Sequence, residues 1–253
     1  MSPQRDSKHW NGFFYIVFSI IVSYYLAVLL HEWSHGTIAW FFGYKESPFQ
    51  VDYGGWLLLH ADEAVPYDQI LSADQGVIAA LIGISGLSVS LILFILSLVG
   101  AYKIKKNGLA YSFFYWFATA NMVAIFQYFT IQTFSIQGDV GRFTHGLHIS
   151  PWWIFIPGTI FVFLALYQFF RKFVPKAYAV LLIRTLSLRR LFLLTTLVLL
   201  FLFIYTHGYN PISDPGMPEI GKLLAVFSML LVPILFFLCD PSRQWVKKEV
   251  SKY

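Results

Sequence analysis

The chain has 253 residues, of which 57% are hydrophobic and only 12% charged, against about 25% charged in soluble domains. That balance belongs in a bilayer. The net charge of +5 does not signal nucleic-acid binding, because the basic residues lie in short loops between apolar segments. The one cysteine, Cys239, excludes an intrachain disulfide and a cysteine-rich metal site, and reads as a packed apolar residue.

Six segments approach the roughly 20 apolar residues that a crossing requires, near 12–42, 74–102, 109–134, 152–171, 188–207 and 220–239. The expected fold is an all-α polytopic membrane protein of one membrane-embedded domain, 1–253, with no soluble accessory domain. The first segment is over-long and is expected to tilt, kink or emerge beyond the interface. It runs into His31-Glu32-Trp33-Ser34-His35 rather than a small-residue cleavage site, so no cleavable signal is expected. Residues i and i+4 share one helix face about 6 Å apart along the axis. Two imidazoles so placed can close on one zinc ion, with the intervening Glu beside the attacking water. With 7 His and 5 Glu in the chain, roughly 0.004 HExxH matches are expected by chance. Ionisable groups inside a span mark a functional site.

The 44–73 segment follows, with Val51-Asp-Tyr-Gly-Gly-Trp-Leu-Leu-Leu-His60 at its centre. It reads as a short hairpin, a re-entrant segment, or an interfacial loop anchored by Tyr53 and Trp56. Span two carries Gly76, Ala80, Gly83 and Gly86 at a spacing that permits tight helix contact. In span three Asn121, Tyr128 and Gln132 follow i, i+7, i+11, one helical face that lines a cavity or meets another helix. Asp139, in Gln137-Gly-Asp-Val-Gly141, is the only acid between Asp74 and Asp214. His145 and His148 come next, and the last three spans carry no signature. Residues 208–218 read as a loop.

The loops alternate in charge. Glu46, Asp52, Asp62, Glu63 and Asp68 face Lys45 alone, and the 208–219 loop holds only Asp214 and Glu219. Lys103, Lys105 and Lys106, then Arg171 to Arg190, Arg243 to Lys252, and Arg5 with Lys8 occupy the other side. The positive-inside rule then puts both termini in the cytoplasm and the HExxH end of span one toward the outer or luminal face. His60, His145, His148 and His207 fall on that same face.

Catalytic zinc commonly takes three protein ligands and keeps a fourth position for water. A third His in the HExxHxxGxxH pattern is excluded, since Ile38 and Phe41 occupy those positions. Asp139 is the preferred third ligand of the Zn2+ site, with Glu63, His145 and His148 as alternatives. Asn121, Tyr128, Gln132, His145 and His148 are candidates for contact with substrate or for support of the metal ligands. Residues 12–145 would form the catalytic core and 146–253 three further spans.

These motifs resemble those of the site-2-protease family of intramembrane zinc metalloproteases. The likeness rests on HExxH followed by Gly36, the segment Ile82-Gly-Ile-Ser-Gly-Leu87, and the Asn121 helix leading to Gly138-Asp139-Val140-Gly141. It covers roughly residues 20–145. Val140 separates Asp139 from Gly141 where the family has Asp-Gly, and the family's site generally opens to the cytosol. The resemblance implies hydrolysis of a membrane-protein substrate, with Glu32 as the base. Two other classes compete: a di-iron desaturase or hydroxylase using His31-x₃-His35 and His145-x₂-His148, and a non-catalytic zinc-binding membrane scaffold.

Overall fold

The computed structural model describes residues 3–202, 211–212 and 216–253. The long helices follow from the apolar runs, because a backbone in lipid must satisfy its hydrogen bonds within the segment. Five described helices are long and apolar enough to cross a membrane: Phe13–Phe41, Gly76–Lys103, Gly108–Ile131, Trp152–Val180 and Glu219–Leu238. The first belongs to α1, Pro3–Phe41; the second is α3, Gly76–Lys103, reached through the short α2, Tyr67–Ser72. The protein is therefore a multi-pass, all-α membrane protein.

The fifth expected crossing, 188–207, corresponds to α8, Leu186–Phe201. Its 16 residues rise about 24 Å, short of the roughly 30 Å hydrocarbon core. The expected continuation to His207, and Asp214 in the next loop, lie outside the described residues. The fourth crossing is longer than the expected 152–171: α6, Trp152–Gln168, runs through a π turn at Phe169–Phe173 into α7, Val174–Val180. After α9, Glu219–Leu238, the short α10, Gln244–Val250, closes the chain.

At the centre stands α4, Gly108–Phe126, capped by the Asn107 side chain accepting from Ala110 N at 3.0 Å. Of its most apolar stretch 61% is buried, against 17% for α1 and α9, so α4 is the axis and the others form a lipid-facing layer. Leu223, Phe227, Leu230, Ile234 and Phe237 on α9 are exposed, a contiguous apolar face that water would not tolerate. Tyr115 and Trp116 of α4 pack edge to face on each other, and both meet the Phe192 ring of α8 at a tilt. Lys176, buried in α7, donates to the carbonyls of Ala101 and Tyr102 at 2.8 and 2.7 Å, satisfying the free C-terminal end of α3.

Span three does not run as α-helix to residue 134. It ends in a π turn, Gln127–Ile131, in which Gln132 N donates to Gln127 O at 2.8 Å. Thr133 Oγ1 donates to the Tyr128 carbonyl at 2.7 Å, relieving the widened turn. The chain then folds back into α5, Asp139–Gly146, which lies along α3. The small-residue stripe serves this contact, with the backbones of Gly76 and Gly146 abutting.

No strand occurs among the described residues. Within 44–73 a single antiparallel bridge joins Asp52 and Asp62 through two 2.9 Å bonds. The tip turns at Gly54 and Gly55, both at positive φ. Tyr24 and Tyr25 of α1 donate their hydroxyls to the Leu57 and Trp56 carbonyls, pinning the loop to the helix. Trp56 is 81% exposed, as an interfacial anchor would be.

Candidate metal centre

The turn that reverses the chain after α4 brings Asp139 beneath α1. Gly138 takes an extended conformation as the N-cap of α5, so Asp139 is the first helical residue. A side chain at Gly141 would fall on the Ser135 carbonyl, so only glycine lets α5 lie this close to the turn. His31 and His35 point the same way from one face of α1. His31 Nε2 lies 3.2 Å and His35 Nε2 3.4 Å from Asp139 Oδ2, and the two nitrogens are 3.3 Å apart. All three residues are buried and form a group able to hold a metal ion.

The size of this triangle is informative. Tetrahedral zinc with bonds of about 2.0–2.1 Å sets its ligand atoms about 3.3–3.4 Å apart. The proton positions agree. His35 Nδ1 lies 2.7 Å from the Ile82 carbonyl, which can only accept, so the proton sits on Nδ1 and the Nε2 lone pair faces inward. His31 Nδ1 is held by Ser90 Oγ at 3.0 Å. Asp139 Oδ2 is buried with no hydrogen-bond donor. A buried carboxylate oxygen without a donor and two imidazole nitrogens converge on one point, and a cation fits that donor set.

Space for the ion comes from α3. A Cβ at Gly86 would fall on His35 Nε2 and lie 2.7 Å from His31 Nε2. On the opposite side the Tyr128 ring stacks on His31, centroids 5.5 Å apart and planes 6° from parallel. The π turn presents it there, consistent with such turns clustering at functional sites.

Glu32 lines a cavity of about 930 Å³ together with His31, Tyr128, Asn121, Gln132 and His60. Its Oε2 is buried without a donor, as is Asn121 Oδ1. The polar groups gather at the metal end. Away from it the walls are apolar, formed by Ile20, Ile21 and Val28 of α1, Val123 of α4 and Leu199 of α8. The expected polar face of span three is thus realised around the cavity despite the change of helix type.

Other candidates lie elsewhere. His145 and His148 are exposed on the far side of α5, 6.4 Å from each other, and do not enter the ligand group; α5 turns its Asp139 face inward and theirs outward. Glu63 is also outside the group. It is not on a solvated face, as the acidity of its loop suggests, but buried and paired with Arg142. Arg142, three residues after Asp139, is thus paired with Glu63 rather than with its neighbour on α5. Sequence reasoning missed Ser90 and the Ile82 carbonyl as the groups that orient the histidines, and read Gly86 as packing alone.

Comparison with known proteins finds no matching family model, no matching curated protein and no matching solved structure. The functional reading therefore rests on the site itself.

Proposed function

We propose that the chain is an intramembrane zinc metalloprotease of the site-2-protease type, hydrolysing peptide bonds in membrane-spanning or membrane-proximal substrates. The observation that carries this reading is the His31–His35–Asp139 triangle, of zinc-ligand dimensions, with a half-buried Glu32, whose Oε2 has no partner, beside it in a cavity. Zinc bound there would supply an acidified water, of pKa about 7, and polarise the scissile carbonyl.

The chain's own residues do the rest. His31, His35 and Asp139 would hold the ion, and Ser90 and the Ile82 carbonyl keep the imidazole rings aimed. Glu32 takes the proton as the water oxygen bonds to the carbonyl carbon, then delivers it to the amide nitrogen as the C–N bond breaks. The substrate must be unwound for this, because a helix hides its carbonyls in i→i+4 bonds. From Glu32 to Ile20 the cavity follows α1 for about 18 Å, room for about five extended residues. Apolar walls there suit a membrane segment, and Asn121 Oδ1 offers an acceptor for one of its freed N–H groups.

The test is Glu32→Gln, with zinc content and cleavage of a membrane-spanning reporter both measured. Zinc should stay bound while the rate falls about 10²–10⁴-fold, the usual worth of a general base. A normal rate would sink the assigned base. Bound zinc with no hydrolysis by the unaltered protein would favour the scaffold. The di-iron reading gains no support, since His145 and His148 stand apart from the one ligand group found among the described residues.

A further inference from the structure

The third ligand stands on weak footing. Asp139 opens a helix of eight residues, too short to be stable by itself, and a ligand must be held to a few tenths of an ångström to close a tetrahedral site. One turn along α5, the Arg142 guanidinium donates to Glu63 Oε1 and lies 3.8 Å above the Tyr67 ring. Glu63 is anchored in turn, its carbonyl accepting from Lys45 Nζ, which also holds the Gln50 carbonyl. The same loop is tied to α1 by Tyr24 and Tyr25. Besides their common packing on α3, the helix bearing two ligands and the helix bearing the third are thus joined through a partly buried ion pair.

Glu63 has a second property. It is a buried carboxylate held by Arg142, one helical turn from Asp139. Released from Arg142, it would offer a second anionic oxygen to a ligand group that holds one. We propose that Glu63 and Arg142 are positioning residues of the metal centre: the pair fixes Asp139 on the ligand triangle and keeps the Glu63 carboxylate off it. This inference rests on the metal site described above and not on the peptidase reaction, so it stands or falls separately from the latter.

The experiment uses the full chain in detergent, stripped of metal. It measures zinc affinity by chelator competition, the visible spectrum with Co2+, and the thermal midpoint of the metal-free form. Glu63→Gln and Arg142→Gln should each weaken zinc about 10–100-fold, the usual effect of losing an outer partner. Arg142→Gln should also change the Co2+ bands, because the freed Glu63 competes for the ion, whereas Glu63→Gln should leave their positions unchanged. Arg142→Lys, which keeps the charge but loses the planar stack on Tyr67, should recover most of the affinity. The double variant Glu63→Gln/Arg142→Gln should bind zinc no worse than either single one. If Arg142→Gln fails to fold, Glu63→Gln and Arg142→Lys decide the affinity question. Zinc affinity and Co2+ spectra unchanged in folded variants, with only the thermal midpoint lowered, would overturn the proposal and leave the pair a structural brace.

Discussion

Gly86 sets the clearance of the metal centre, since a methyl group there would occupy the space between the two histidine nitrogens. Alanine is the better helix former by about 1 kcal/mol, so Gly86→Ala separates two effects. The helix gain offsets part of the overpacking against the His35 ring, so the metal-free variant should fold with a melting point close to the parent's, yet bind no zinc in equilibrium dialysis. Retained stoichiometric zinc would show that the ion does not sit between these nitrogens. Asp139→Asn should weaken zinc by more than about 100-fold, beyond what loss of an outer partner costs. Full occupancy in that variant would move the third-ligand role to Glu63, the buried one among the expected alternatives. How far the site was readable depends on the kind of group. His31, Glu32 and His35 are legible because one helix fixes their spacing. Asp139 is legible only because no other acid lies between Asp74 and Asp214. The Ile82 carbonyl is illegible, since every residue carries a carbonyl and only the fold selects one to meet His35.

At the scale of elements, the apolar runs specify the long helices but not how span three ends. Gln127-Tyr-Phe-Thr-Ile131 has the composition of ordinary helix, and the extra residue in its turn is visible only as the bond from Gln132 N to Gln127 O. That turn presents Tyr128 to His31 and reverses the chain into α5. Gly138 and Gly141 permit a tight reversal at this point, whereas α5 itself has no legible signature, because an eight-residue helix leaves too short a periodic signal. Gly141→Ala tests the reversal. Its Cβ would meet the Ser135 carbonyl and lie 2.7 Å from the carbonyl carbon, so α5 must shift outward. An overpacking cost of about 1–3 kcal/mol is expected, read as a lowered thermal midpoint. Because Asp139 moves with α5, zinc affinity should fall as well. Unchanged melting and unchanged affinity would mean that α5 does not hold this close contact in solution.

For the whole molecule, the number of crossings decides the sidedness of the ends. Five described helices are long enough to span, and α8 is the open member of the count, its 16 residues being about four short of the usual requirement. It packs on α4 and α9, which suits either a thinned crossing or a helix confined to one leaflet. The alternation of loop charge requires six crossings, with both ends beside the basic loops. Cysteines at Glu46 and Ser251, both exposed, distinguish these cases in a background where the buried Cys239 is replaced by serine. One crossing lies between the N-terminus and Glu46. With α8 crossing, the two cysteines must therefore lie on opposite sides; without it, they share a side. The expected outcome with a membrane-impermeant maleimide on intact cells or sealed vesicles is labelling of Glu46→Cys from the outer or luminal face, and of Ser251→Cys only after permeabilisation. Labelling of both from one side would confine α8 to a single leaflet. The reverse pattern, with Ser251→Cys alone reached from outside, would invert the orientation and turn the metal end of the cavity toward the cytoplasm. His31 and His35 lie nearer the Phe41 end of a 29-residue apolar stretch, so the same labelling fixes the face from which water would reach Glu32.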